Sequence, residues 1–69
     1  MNRVSVASSN IASIGYDGTM LVLEIEFSSG SVYQYLDVPQ QVFEALMSAV
    51  SKGQFFATSI KGSYRYVRV

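Results

Sequence analysis

Two alternating arms flank a short glycine-containing turn in the middle of the chain: LVLEIEF over residues 21–27, then Ser28-Ser29-Gly30, then SVYQYLD over residues 31–37. In the first arm Leu21, Leu23, Ile25 and Phe27 alternate with Val22, Glu24 and Glu26, a period of two that marks a strand with one buried face. Ser28-Ser29-Gly30 suits a three-residue hairpin loop closed by a glycine in the left-handed region, where a Cβ is strained. That loop sets Phe27 opposite Ser31, so Ile25 faces Tyr33 and Leu23 faces Tyr35. Both tyrosines fall on the core side, while Val32, Gln34 and Leu36 share the outer face with Glu24 and Glu26. A slip of one residue would exchange the two faces.

The chain before this hairpin extends the same face. Residues 3–6 alternate weakly, as a poor strand or an extended lead-in, and Ser8-Ser9-Asn10 interrupts them. Residues 11–16 read as a firm strand with Ala12, Ile14 and Tyr16 on one side. Asp17-Gly18 signals a two-residue turn, because both central residues of a type I′ turn need positive φ. It pairs Tyr16 with Thr19, Ile14 with Leu21 and Ala12 with Leu23. The two turns then agree on one apolar face, and that consistency is the strongest internal argument for the fold.

Pro39 suits a helix start, since its missing N–H would have had no partner there. Val42, Phe43, Leu46, Met47 and Val50 recur at helical spacing, forming a lid over the sheet and over Tyr33 and Tyr35. Gly53 is placed as a left-handed cap with Lys52 in the last turn. Residues 54–60 suit one short helical turn that brings Phe55 or Phe56 and Ile60 to the core edge. Residues 64–69 alternate as a last strand. The expected fold is α+β: an antiparallel three-stranded meander followed by a helix and a final strand (β-β-β-α-β), with helices on one face of the sheet. Residues 1–69 form one domain in this reading, near the size at which folding buries only about 60% of the unfolded chain's surface.

Chemistry is constrained mainly by what is missing. The chain has no histidine and no cysteine, so the commonest general base, the thiol nucleophile and the best zinc ligands are absent. Glu24 and Glu26 project from the same side of one strand and read as a solvated face rather than an acid/base couple. The glycines are isolated turn or cap residues, with no phosphate-binding loop. The expectation is a small non-catalytic binding module with no cofactor and no metal. The longest aliphatic run, residues 20–23, is far too short to cross a bilayer, and the start of the chain has no apolar signal region. A cytoplasmic protein without membrane contact is expected, and a chain without disulfides suits a reducing compartment.

Charge offers two directions for a partner. Charged residues make up only 14% of the chain, below the roughly 25% of ordinary soluble domains, which favours an oligomer or a protein partner using Val22, Val32 and Leu36 on the open sheet face. The net charge of zero is unevenly laid out: Lys52, Lys61, Arg65 and Arg68 occupy the last third with no acid among them. Should Val67 and Val69 face inward, Tyr64 and Tyr66 point outward with Arg68 as an aromatic and basic stripe of the kind that single-stranded nucleic acid uses. Should the tyrosines face inward, Arg65 is the exposed base and the stripe is lost. The candidate nucleic-acid residues are Lys61, Tyr64, Arg65, Tyr66 and Arg68.

In combination and order, Gly15-Tyr16-Asp17, the central Tyr33-Gln34-Tyr35, Val38-Pro39, the VFEALMSA and SKGQFF segments, Ile60 and the closing Tyr/Arg strand resemble the KTSC domain over nearly the whole chain. That short module is found at the C-terminus of some bacterial lysyl-tRNA synthetases and as a free-standing small protein. The resemblance implies a stand-alone member and, through the synthetase fusion, an RNA partner, whether tRNA or another single-stranded or structured RNA. Composition alone points instead to another protein or a second copy of the chain.

Overall fold

The computed structural model describes residues 1–69. Its elements run β1 (Arg3–Ser5), β2 (Ile11–Asp17), β3 (Val22–Phe27), β4 (Val32–Tyr35), α1 (Gln40–Ser48), α2 (Lys52–Ser59) and β5 (Tyr66–Arg68). The five strands form one antiparallel sheet in the order β1-β2-β3-β4-β5. The expected α+β class with an antiparallel sheet holds, but the expected three-stranded meander does not. The weak lead-in is a genuine edge strand beside β2, four strands precede the helices, and there are two helices.

The central hairpin forms as its residues dictate. Phe27 N–H donates to Ser31 at 2.8 Å and Gly30 N–H donates to Phe27 at 2.9 Å, closing a three-residue loop in which Gly30 has φ +96°. Leu23 then pairs with Tyr35 and Ile25 with Tyr33. The Asp17-Gly18 turn is corrected. Asp17 pairs with Val22 and Tyr16 with Leu23, so residues 18–21 form the loop instead of a two-residue turn. Asp17 Oδ1 accepts from the backbone N–H of Thr19 (2.9 Å) and Met20 (3.1 Å), a local side-chain turn that competes with the tight hairpin. The register shift is even, so face parity survives. Leu21, expected in the core, is exposed with φ +58°.

A β-bulge between Ile11 and Ser13 makes a second correction. It turns Ile11 into the core in place of Ala12, while Ser13 keeps the face opposite Ile14 that the alternation gives it. The nine-residue core is Ile11, Ile14, Leu23, Ile25 and Tyr35 from the sheet, with Val38, Leu46, Phe56 and Ile60 packed on them.

Both helices cover the same sheet face. Pro39 occupies the N-cap of α1, and the Phe43 ring stacks on Tyr16 with centroids 4.7 Å apart. The Tyr16 hydroxyl donates to the Val38 carbonyl at 2.5 Å. The helix stops at Ser48, with Ala49 in extended backbone, so Val50 is fully exposed rather than part of the apolar stripe. Gly53 is not a C-cap; it lies in the first turn of α2, which Ser51 starts by accepting from Gln54 N–H at 3.2 Å. Its missing side chain makes room for Asn10, whose Oδ1 would sit 2.5 Å from a Cβ. Lys52 belongs to α2 and reaches back to the Ala49 carbonyl at 3.4 Å. The expected short turn over residues 54–60 is the body of this eight-residue helix. No helix is long and apolar enough to cross a membrane.

Because Gly30 alone among the glycines holds positive φ, Gly30→Ala is expected to lower stability by about 1 kcal/mol. Gly62→Ala, where nothing lies within 4 Å of the new Cβ, should leave it nearly unchanged. Urea unfolding of the two variants checks this contrast.

Candidate nucleic-acid interface

The position of β5 decides the site. It pairs with β4, placing Tyr66 beside Tyr35, Val67 beside Gln34 and Arg68 beside Tyr33. Tyr66 and Arg68 thus share the helix face with the two central tyrosines, while Val67 points to the opposite face. Of the two sequence alternatives, the inward-facing one holds for Tyr66, yet the stripe is not lost. Tyr66 lies on the edge strand of the sheet and stays 56% exposed.

The result is an aromatic groove. Tyr33 and Tyr35 form its floor, their rings inclined by only 27°. Phe27 stands edge-on to Tyr33 at 80°, and Phe56 edge-on to Tyr35 at 77°. Tyr66 forms the third side, 5.5 Å from Tyr33 and 5.6 Å from Tyr35. Such tilted and edge-to-face contacts suit aromatic quadrupoles and hold the rings against one another. The cavity measures about 430 Å³, with Asn10, Ser29, Ser31 and Lys61 also on its walls. Tyr35 lies under the Phe56 ring of α2, whereas the expected lid residue Phe43 serves Tyr16.

Positive charge collects at this groove by elimination among the chain's five Lys and Arg residues. Arg3 is paired with Glu24 and Glu26, Arg65 with Asp37 at 3.0 Å, and Lys52 serves a carbonyl. Lys61 and Arg68 have no carboxylate partner. Lys61 lines the groove; Arg68 lies over the Tyr33 ring at 6.0 Å and donates to Ser31 Oγ at 3.2 Å, within reach of a cation–π attraction. No carboxylate lines the cavity. Burial, followed by the neighbouring Tyr66 and Tyr33 phenols, pushes the Tyr35 hydroxyl above its ordinary pKa, so it remains a neutral donor.

The five candidate residues therefore separate. Lys61, Tyr66 and Arg68 meet at the groove. Tyr64 is half-buried against the core, and it lines with Arg65 a shallow depression beside Leu36 and Val67. Phe27, Tyr33, Tyr35, Phe56 and Asn10 complete the groove without having been expected there. For Tyr33 and Tyr35 the alternation already gave the face; what was missing was the neighbour.

The opposite sheet face is less open than expected. Glu24 is buried, not solvated. Arg3 Nη1 donates to one of its oxygens and Gln34 Nε2 to the other at 2.8 Å; Ser13 accepts from Arg3 Nε at 3.0 Å and donates to Glu26 at 2.7 Å. This network ties four strands together. Val22, Val32 and Leu36 do lie on this face, half-buried at its margins, and Val67 joins them from β5. No group of three or more His, Cys, Asp or Glu residues is placed to hold a metal ion.

Comparison with known proteins settles the kinship. The KTSC domain family matches residues 7–64. This chain belongs to the KTSC domain family. A KTSC domain protein from Yersinia pestis, solved by crystallography, superposes with a TM-score of 0.96 at 47% identity, covering 99% of this chain and 96% of that one. A protein of Stutzerimonas stutzeri (strain A1501) is 46% identical over all of this KTSC chain and 99% of its own length. A lysine–tRNA ligase of Trichormus variabilis (strain ATCC 29413 / PCC 7937) is 51% identical over 74% of this chain, which spans only 9% of that ligase.

Hydrogen bonding from Gln34, then contact with Arg3, holds the Glu24 carboxyl below its ordinary range against the opposing effect of burial. A depressed folded-state pKa contributes stability that is present above the unfolded value of about 4.3 and is lost as pH falls through the lower folded value. Unfolding free energy should therefore decline below about pH 5. Glu24→Gln is expected to flatten that decline and to cost roughly 1–3 kcal/mol at pH 7, since Arg3 loses the nearer of its two carboxylate partners. Denaturant titrations across pH 3–7, about the range in which carboxylates ionise, measure both effects.

Proposed function

We propose that this KTSC domain is a small non-catalytic RNA-binding module, cytoplasmic in location, whose contact surface is the aromatic groove at the β4–β5 edge. One observation carries the reading: of the three basic side chains without a carboxylate partner, Lys61 and Arg68 lie beside an exposed Tyr66 that packs against two further tyrosine rings, and the third, Lys52, is turned to the Ala49 carbonyl. Stacking rings with adjacent phosphate-attracting charge are what an unpaired strand requires, and each stacked base contributes on the order of 1–3 kcal/mol. Glu24 and Glu26 lie on the other side of the sheet and are drawn to Arg3. A related stretch within lysine–tRNA ligases supports tRNA, or a structured RNA with an unpaired segment, as the partner.

Titration with bulk tRNA at low ionic strength, followed by amide shifts, is expected to move residues 61–69 and the groove residues. With two phosphate contacts, log affinity should fall against log salt with a slope of about −1 to −2. Arg68→Ala and Lys61→Ala each weaken binding, while Arg65→Ala, whose charge Asp37 already offsets, weakens it less. No movement of residues 61–69 would remove the proposal.

A second reading rests on a separate observation: Val67, 45% exposed, extends the row of Val22, Leu36 and Val32 on the opposite face. This margin suits another protein or a second copy. Sedimentation should then show mass increasing with concentration, and Val67→Lys should abolish the increase; a strict monomer excludes self-association.

A further inference from the structure

We infer that the groove is a pocket for one unpaired nucleotide, receiving a single base against its exposed ring surface and the attached phosphate at Lys61 and Arg68. This deepens the RNA reading and rests on it. The shape argues for one base rather than a track of bases. Tyr33 and Tyr35 hold nearly parallel rings, Phe27 and Phe56 meet them edge-on, and Tyr66 tilts against both, so the aromatic surface is short and closed on several sides. A space of about 430 Å³ lies towards the small end of ligand pockets, about 300–1,000 Å³, which suits one base rather than several.

The polar groups argue for the chemistry. The hydroxyls of Tyr33, Tyr35 and Tyr66 make no hydrogen bond within the chain, and no buried side-chain oxygen or nitrogen is left without a partner. The Tyr33 and Tyr66 hydroxyls, on half-buried and exposed residues, are therefore open to solvent, while that of the buried Tyr35 lies deeper. Asn10 sits at the mouth with its Oδ1 turned to the Ser8 hydroxyl (3.3 Å) and crowded against Gly53. Its amide NH₂ has no partner and is free to donate to a base edge. With Lys61 and Arg68 as the charged groups beside the groove and no carboxylate lining it, the site complements an aromatic ring that bears lone pairs and an anionic group, which describes a nucleoside monophosphate. A purine, with the larger stacking face, should bind more strongly than a pyrimidine.

The test titrates the whole chain with AMP, adenosine, CMP and inorganic phosphate, reading aromatic and side-chain amide resonances. AMP is expected to move the Tyr33, Tyr35 and Tyr66 ring protons and the Asn10 amide saturably, ahead of CMP and adenosine, with inorganic phosphate leaving the rings unmoved. Tyr66→Ala, at an exposed position that should not disturb folding, is expected to weaken AMP by at least roughly five-fold, and Tyr66→Phe to retain most of the binding. Equal responses to AMP and inorganic phosphate would show that the base is not held and would overturn the pocket, as would AMP binding indifferent to Tyr66→Ala. Binding of tRNA without any response to AMP sinks the single-nucleotide site and leaves the RNA reading standing; failure of both tRNA and AMP sinks the two together.

Discussion

The pairing of Leu23 with Tyr35 and Ile25 with Tyr33 is the constraint on which the other features rest. It is imposed by a three-residue loop whose last member, Gly30, takes a backbone conformation that a side chain resists. With this register, two tyrosine rings stand on the helix side and Glu24 and Gln34 on the other. Shifted by one, it would drive Glu24 and Glu26 under the helices, where an unpaired carboxylate is far more costly than a displaced valine. The aromatic floor and the buried charge network are therefore two consequences of one turn.

The sheet also separates charge. Arg3 and the two glutamates are engaged with one another on one face, and Asp37 is engaged with Arg65 at the sheet's end. A chain of zero net charge still presents a locally positive groove, because Glu24, Glu26 and Asp37 are matched to Arg3 and Arg65 and no acid lines the groove. Net charge describes solubility and long-range attraction; it does not describe a particular surface once pairing has been assigned.

Two helices do different work. α1 closes the Tyr16 end through the stacked Phe43, and α2 brings Phe56 against Phe27 and Tyr35. Tyr66 on β5 stays 56% exposed beside them, which leaves the groove open there. The break between them had a signal in the chain: Ser51 and Gln54 stand at the spacing of a capping box, and the Ser51 hydroxyl does accept from Gln54 N–H. The helical period through Val50 and a glycine at 53 pointed to one longer helix, and a good local cap overrode that period.

Residues alone determined the α+β class, the β3–β4 register, the side on which Tyr33 and Tyr35 lie and the start of the first helix after Pro39, because each follows from side-chain alternation or from a single backbone restriction within a few positions. The bulge that exchanges Ala12 for Ile11, the burial of Glu24 and the partner of β5 were decided only in three dimensions. Each of these depends on residues far apart in the chain: Ile11 on Phe27, Glu24 on Arg3, Arg68 on Tyr33. A three-residue strand such as β5 carries too little pattern of its own to say which edge it joins, and so the groove exists only once the backbone has brought Tyr66 beside Tyr35.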